Sequence, residues 1–121
     1  MSFQSLEDLE VWKKSCQQSV ALLEALKEFN NRTLLDQMTR SCISVPSNIA
    51  EGQGRDAPKE FIRFLNIAQG SNYGLRTQIY ISQKAGLLKN ETATGLIEDN
   101  KIISSMLHGL IQSIRQRIQD A

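Results

Sequence analysis

Apolar residues recur every three or four positions along most of the chain, which is the spacing of one face of an α-helix. The pattern is interrupted near Asn30–Asn31, between positions 52 and 58, and near Gly86. Alternating apolar and polar runs, which would indicate strands, are nearly absent. The sequence therefore predicts an all-α chain with four helical segments.

The first two segments have well-defined apolar faces. The first is predicted from about Leu6 to Phe29, with Ser5 as its N-cap. The second is predicted to start at Thr33 as N-cap. The first face comprises Leu9, Trp12, Cys16, Leu23 and Leu26, widened by Val20 and Leu22. The second comprises Leu35, Met38, Cys42, Val45 and Ile49, spaced alternately by three and four as in a heptad seam.

The stretch SVPSNIAEGQGR places Pro46 inside this second seam. Since the apolar spacing continues in register through the proline, the favoured interpretation is one helix with a kink. Such a proline frees the Cys42 carbonyl and costs roughly 3 kcal/mol in an ordinary helix interior. Neighbouring serine and asparagine side chains could recover part of that cost. The alternative is a break at Ser44–Val45 and a new helix with Pro46 in its first turn.

The third segment is predicted from about Pro58 to Ala85, after Gly52 and Gly54 end the second. Asp56 is its predicted N-cap. The run GSNYG at 70–74 is predicted to mark a close approach of two helices or, alternatively, a hinge. The apolar face consists of Phe61, Phe64, Leu65, Ala68, Leu75 and Ile79.

The fourth segment is predicted from about Glu91 to Gln119, with Gly86 before it and Asn90 as its cap. Its apolar stripe is wider than a simple bundle needs, which indicates either a broad core face or an oligomer interface. Short connections then favour an antiparallel up-down-up-down four-helix bundle, a single domain over residues 1–121. The stripe comprises Ile102, Ile103, Met106, Leu107, Leu110, Ile111, Ile114 and Ile118.

Charge limits the functions that this chain can have. The net charge is +1, unlike the strongly basic balance of a dedicated nucleic-acid binder, so any phosphate contact needs a local patch. Residues 55–89 carry six basic and two acidic side chains. Within them Arg55, Lys59 and Arg63 are spaced by four, which makes them candidate phosphate contacts. Taken alone, these residues favour the simpler interpretation of a solvated charged face.

The residue pattern indicates no catalytic or metal chemistry. His108 has no partner histidine, and Cys16 and Cys42 are predicted to be buried, reduced thiols. No phosphate-binding glycine motif is present. We therefore expect no enzyme activity, cofactor or metal. The chain begins without a signal peptide and has no apolar run long enough to span a membrane, so we expect a cytoplasmic protein.

Three runs resemble a bacterial four-helix-bundle family first noticed as proteins encoded within intervening sequences of large-subunit ribosomal RNA genes. They are DLEVWKKS at 8–15, residues 37–55 around PSNIAEG, and KEFIRFLNIAQGS at 59–71. The resemblance covers nearly the whole chain. It implies an up-down bundle, a cyclic homopentamer and association with RNA. A related group serves diversity-generating retroelements and binds reverse transcriptase and nucleic acid.

The resemblance also implies residue roles. Relatives often carry two arginines ahead of the proline motif, and Arg40 stands at the second of these positions. The candidate nucleic-acid contacts are thus Arg40, Arg55, Lys59 and Arg63. The structural motif consists of Pro46, Asn48, Glu51 and Gly52. Its Asn48 and Glu51 are expected to make structural hydrogen bonds near the proline or across a subunit interface.

Three hypotheses follow from these patterns. The leading one is a non-enzymatic, cytoplasmic homopentamer that acts as an RNA-associated or ribonucleoprotein accessory factor. The second is a protein-binding adaptor ring with no nucleic-acid role. The third is a small-molecule site within the bundle core.

Overall fold

The computed structural model describes residues 5–121 and contains four α-helices after a short 3₁₀ turn. No strand occurs in this part of the chain, so the all-α prediction is confirmed. The single-domain prediction also included residues 1–4, which lie outside the described residues. None of the described helices is both long and apolar enough to cross a membrane. The 3₁₀ turn spans Leu6–Asp8, and the helices are α1 (Glu10–Ala25), α2 (Arg32–Gln53), α3 (Pro58–Lys84) and α4 (Asn90–Asp120).

Helix α1 is shorter than predicted at both ends. Ser5 does not cap it, because the Ser5 hydroxyl donates to Asp8 Oδ2 at 2.7 Å within the 3₁₀ turn. The helix then begins after Leu9, and it ends at Ala25 instead of Phe29. The residues before it therefore form a separate turn that packs Leu9 into the core.

The starts of α2 and α3 also differ from the predicted caps. Asn31, not Thr33, is the N-cap of α2, because its Oδ1 accepts a hydrogen bond from the Leu34 N–H at 3.0 Å. Ala57, not Asp56, precedes α3. Asp56 has a φ of 53°, in the left-handed region that aspartate tolerates better than most residues. Aspartate thus turns the chain between the two helices instead of capping the second.

The turn between α3 and α4 confirms the role of Gly86, whose φ is 74°. The Gly86 N–H donates to the Gln83 carbonyl at 3.0 Å, and the Leu87 N–H donates to the Ser82 carbonyl at 2.8 Å. This pair of bonds is a Schellman motif, for which glycine is the usual residue. Helix α4 begins at Asn90 itself, without a side-chain cap.

Neighbouring helices pack antiparallel around one bundle. In the residue pairs that meet between consecutive helices, a higher number in one helix is matched by a lower number in the next. This holds both for hydrogen bonds and for core contacts. Helix α4 also packs against α1. The hydrogen-bonded pairs are Met38–Ser82 and Ser44–Ser71 between α2 and α3, and Gln69–Ser104 and Arg76–Asn100 between α3 and α4.

The buried apolar residues form two clusters at opposite ends of the bundle. Between them lies a layer of buried polar side chains, which we call the polar belt: Gln18, Asn72, Asn100 and Ser104. One cluster contains Leu9, Val11, Val45, Ile49, Phe61, Leu65, Ala68, Ile103, Leu107, Ile111 and Ile114. The other contains Leu22, Leu26, Met38, Cys42, Leu75, Ile79, Leu88, Ala93, Leu96 and Ile97.

Most predicted core faces are confirmed. All six predicted residues of α3 are buried, and in α2 only Leu35 stays partly exposed. In α4 the wide stripe mainly covers the core, with Ile102 left 48% exposed. The face predicted for α1 is wrong in part, because Val20 and Leu23 are 67% and 41% exposed. The side of α1 that faces the core is instead Val11, Ser15, Gln18, Ser19 and Leu22.

Helix α2 runs through Pro46 without a break, which confirms the favoured single-helix interpretation. The Cys42 carbonyl that the proline frees accepts a hydrogen bond from the Ser19 hydroxyl of α1 at 2.9 Å. The Asn48 Nδ2 donates to the Ser44 carbonyl at 2.8 Å. A side chain of the neighbouring helix α1 therefore satisfies the Cys42 carbonyl, and no serine of α2 is needed for it.

The predicted end of α2 at Gly52 and the predicted close approach at Gly70 and Gly74 are both wrong. Gly52 does not end α2 but lies inside it, where an added Cβ would come within 2.6 Å of Phe64 Cβ and 3.3 Å of the Phe61 carbonyl oxygen. Gly52 is thus the point where α2 and α3 approach closely. At Gly70 and Gly74, where the close approach was predicted, an added Cβ would meet nothing within 4 Å.

Candidate functional site

Three of the four predicted cations meet where α2 ends and α3 begins, and we call Arg55, Lys59 and Arg63 the cationic corner. Arg55 follows the end of α2, while Lys59 and Arg63 lie on the first two turns of α3. Arg40 lies on α2, roughly 22 Å along the helix axis from Arg55 at 1.5 Å per residue. Arg40 therefore does not contribute to this corner within one chain.

Both arginines of the corner are paired with glutamates. Arg55 Nη2 lies 3.5 Å from Glu51 Oε1. Arg63 donates from Nε and Nη2 to the two carboxylate oxygens of Glu60, at 3.1 and 3.3 Å. The hydrogen bond and charge of Arg63 lower the pKa of Glu60, and Glu60 in turn raises the pKa of Arg63. The positive charge of both arginines is therefore largely compensated within the corner.

The ring of Phe64 holds the two arginines in place. The guanidinium carbons of Arg55 and Arg63 lie 5.0 and 4.5 Å from its centroid, within the range of cation–π attraction. Lys59 is exposed and has no ion pair among residues 5–121. An open cavity of about 640 Å³ lies at this end of the bundle, and both Lys59 and Arg117 of α4 line it.

The motif residues around the proline have structural positions. Pro46 and Gly52 are buried. As expected, Asn48 bonds to the backbone near Pro46, through Ser44. Glu51 does not, because it is exposed and faces Arg55 instead.

A second cationic surface lies on the outer side of α3 and α4, and we call it the α3/α4 groove. It is an open groove of about 470 Å³. The groove residues of α4 recur at intervals of three and four, so they share one face of that helix. The groove is lined by Tyr73, Arg76, Lys101, Ser104, Ser105 and His108.

Arg76 connects this groove to the polar belt. Its Nε donates to Asn100 Oδ1 at 2.8 Å and its Nη2 donates to Ser104 Oγ at 2.9 Å. Deeper in the bundle, Asn72 Nδ2 donates to Ser104 Oγ at 2.8 Å, and Gln18 Nε2 donates to Asn72 Oδ1 at 3.0 Å. A chain of amide and hydroxyl groups thus runs from α1 to the guanidinium at the surface.

Cys42 is buried as predicted, whereas Cys16 is only half-buried. Burial raises the pKa of the Cys16 and Cys42 thiols, which disfavours the reactive thiolate. His108 is exposed on the α3/α4 groove. Among residues 5–121, no three histidine, cysteine or acidic side chains cluster in a way that could hold a metal ion.

Sequence reasoning missed the α3/α4 groove, although it placed Arg76 in the basic third quarter of the chain. The available signal was the distribution of acids, not of bases. No aspartate or glutamate occurs in residues 61–90 or 100–119, which include nearly all of α3 and two thirds of α4. The two acid-free stretches lie on different helices, so they indicate one surface only once α3 is known to pack against α4.

These features define a small all-α bundle with cationic surfaces at one corner and along one groove. The chain belongs to the 23S rRNA-intervening sequence protein family, whose model matches residues 7–109. The resemblance seen in the sequence is thereby confirmed.

A solved structure is similar in fold. It is a protein of unknown function from the S23 ribosomal protein family of Bacteroides thetaiotaomicron, with 22% sequence identity and a TM-score of 0.79. The match covers 84% of this chain and 97% of that one. Comparison with curated proteins gives no significant match.

Proposed function

We propose that this protein is a non-enzymatic, cytoplasmic homo-oligomer that associates with RNA as a ribonucleoprotein accessory factor. The observation that carries the RNA part is the cationic corner, where the buried Phe64 ring positions Arg55 and Arg63 beside Lys59. Glu51 and Glu60 offset the charge of the two arginines, but Lys59 has no ion pair among residues 5–121. Arginine and lysine side chains held in this way contact phosphate oxygens without reading sequence. The family resemblance, which implies association with RNA, favours RNA as the polyanion.

The oligomer part of the proposal is supported by exposed aliphatic side chains. Val20 of α1 and Ile43 of α2 are 67% and 46% exposed. They directly follow Ser19 and Cys42, which are hydrogen-bonded across α1 and α2, so both lie beside the same seam. A second chain would remove this apolar surface from water. The family resemblance favours a cyclic pentamer, while an adaptor ring for a partner protein remains the second hypothesis.

The RNA proposal is tested by titrating the full chain into fluorescent structured RNA at several salt concentrations. We expect log affinity to fall linearly with log salt, because bound counterions are released from the phosphates. The triple variant Arg55→Gln/Lys59→Gln/Arg63→Gln should bind more weakly and with a shallower salt slope. The matched control Lys13→Gln/Lys27→Gln/Arg32→Gln removes the same charge elsewhere and should bind as the parent does. Equal loss in both variants, or no binding at low salt, would reject the proposal.

The oligomer proposal is tested by sedimentation equilibrium. We expect a mass five times the 13.6 kDa of one chain. Val20→Glu should dissociate the assembly, whereas Ala21→Glu, at the next and also exposed position, should leave it intact. A monomeric parent protein would overturn the proposal.

A further inference from the structure

The α3/α4 groove presents a positive charge that the protein does not cancel. Arg76 is anchored by the neutral acceptors Asn100 Oδ1 and Ser104 Oγ, and it has no ion pair with a carboxylate among residues 5–121. Those two bonds use two of the five guanidinium N–H donors. The other three have no hydrogen-bond partner among the described residues. A fixed guanidinium with free donors is suited to the bidentate binding of a phosphate.

The surroundings of Arg76 strengthen this charge. No aspartate or glutamate lines the groove, and none occurs in residues 61–90 or 100–119. Lys101 lies in the same groove and has no ion pair within the described part of the chain. The nearby Asp99 is directed to the other side of α4, where it lies 3.6 Å from Lys14 of α1. The groove thus carries two cations and no acidic residue in its lining, on a chain whose net charge is only +1.

The groove also carries an exposed aromatic ring. Tyr73 is 51% exposed, and the guanidinium carbon of Arg76 lies 5.1 Å from its ring centroid. Tyr80, 39% exposed, follows on the same side of α3 two turns later, roughly 10 Å along the axis. Alternating cations and exposed rings are typical of surfaces that bind single strands, because an unpaired base can stack on a ring while its phosphate meets a cation.

From this geometry we infer that the α3/α4 groove binds single-stranded nucleic acid. Arg76 and Lys101 contact successive phosphates, Tyr73 stacks on an unpaired base, and Ser105 and His108 supply further hydrogen bonds. The inference rests on the proposed function for the class of partner, but it assigns a site separate from the cationic corner. A duplex is the poorer ligand, because its stacked bases cannot reach the tyrosine ring.

The test uses the full chain and fluorescein-labelled oligouridine, measured by anisotropy across a series of salt concentrations. The variant Arg76→Gln/Lys101→Gln should bind more weakly, with the log–log salt slope reduced by about 1.4 for two lost contacts to a single strand. Tyr73→Leu should weaken binding roughly five-fold or more, whereas Tyr73→Phe, which keeps the ring, should bind as the parent does. Lys13→Gln/Lys27→Gln is the control for loss of charge. Since Arg76→Gln also removes hydrogen bonds to the polar belt, Lys101→Gln alone serves as a variant that leaves the core untouched.

The outcomes separate this inference from the proposed function. If oligouridine binding is unchanged in the groove variants but lost in the corner variant, the groove is not the site and RNA association still holds. If the groove variants lose as much affinity for a duplex of equal length as for oligouridine, or if Tyr73→Leu binds oligouridine normally, the inference is overturned. If neither structured RNA nor oligouridine binds at low salt, both proposals fail.

Discussion

Helix α3 forms two seams of opposite character with its neighbours. Against α2 it approaches so closely that only a glycine fits at position 52, and the arginines at the end of that seam are paired with glutamates. Against α4 it is joined by amide and hydroxyl groups, and the outer side is an open groove whose two cations have no ion pair among residues 5–121. The same helix thus supplies tight packing on one side and an accessible charge on the other.

The difference teaches that the number of cations does not locate an anion site. The cationic corner holds three basic residues within nine positions, yet its arginines are directed to Glu51 and Glu60. The groove holds fewer cations per turn, but Arg76 there is bonded only to neutral acceptors. The identity of the acceptor that holds an arginine therefore decides how much of its charge remains available.

The largest effect should come from breaking the seam with α4. Asn72→Ala leaves the buried Gln18 Nε2 without a partner and removes one set of hydrogen bonds from Asn100 and Ser104, which keep their bonds to Arg76. We expect a loss of about 3 kcal/mol in the free energy of unfolding, since an unpaired buried group costs about 1–3 kcal/mol and each further lost hydrogen bond about 1 kcal/mol. Urea denaturation at fixed protein concentration measures it. The control Asn66→Ala, at an exposed position of α3, should change stability by no more than about 0.5 kcal/mol.

The next effect should come from the seam with α2. Gly52→Ala drives a methyl group against Phe64 Cβ, which cannot move without shifting α3, so we expect a loss of about 1–3 kcal/mol. Gly70→Ala introduces the same methyl group where nothing lies within 4 Å. That variant should instead gain about 1 kcal/mol from helix propensity. Urea denaturation measures both, and changes of the same sign in the two glycine variants would show that seam packing does not govern them.

The seam between α1 and α2 provides a reference for the two seams of α3, because a single hydrogen bond satisfies the carbonyl that its proline frees. Ser19→Ala leaves the buried Cys42 carbonyl unpaired and should cost about 1–2 kcal/mol. In a Pro46→Ala background, the new backbone N–H can pair with that carbonyl, so the serine substitution should cost clearly less. A double-mutant cycle by urea denaturation measures the coupling, and an additive cycle would contradict this account.

The smallest effect should sharpen the contrast between corner and groove. Glu51→Gln/Glu60→Gln frees both arginines of the corner and should raise RNA affinity several-fold, as measured by anisotropy. Acid should act in the same direction, because the Glu60–Arg63 pair is lost as the pH falls through the lowered pKa of Glu60. The stability that this pair contributes is present above the unfolded pKa of Glu60 and disappears over the same fall. An affinity that is insensitive to both changes would show that compensation does not limit the corner.

Much of the fold could be predicted from apolar spacing. The faces of α2 and α3 were predicted well because most of their core positions are occupied by apolar residues, although the buried Asn72 and Ser82 of α3 were missed. The face of α1 was predicted poorly for the opposite reason. Its core side carries Ser15, Gln18 and Ser19, while Val20 and Leu23 are exposed. Spacing alone cannot show that a buried position is filled by an amide.

The candidate site was predicted only in part, because charge compensation depends on side-chain geometry. Arg55, Lys59 and Arg63 share one end of the bundle, as their spacing indicated, but the spacing did not show that Glu51 and Glu60 pair with the two arginines. Arg40 is distant from them within the chain. Arg76 and Lys101 are 25 positions apart in the sequence, so only the antiparallel pairing of α3 with α4 brings them into one groove.

The polar belt has a further consequence for the order in which the chain folds. The bond from Asn72 Nδ2 to Ser104 Oγ joins residues 32 positions apart, and the bond from Asn100 Nδ2 to Gln18 Oε1 joins residues 82 positions apart. Closing the longer loop costs more conformational entropy, so contacts between neighbouring helices have the advantage. We therefore expect the contacts between helices that are adjacent in the sequence, including the Ser19–Cys42 bond of α1 and α2, to form first, and the bond between Gln18 of α1 and Asn100 of α4 to complete the amide network last.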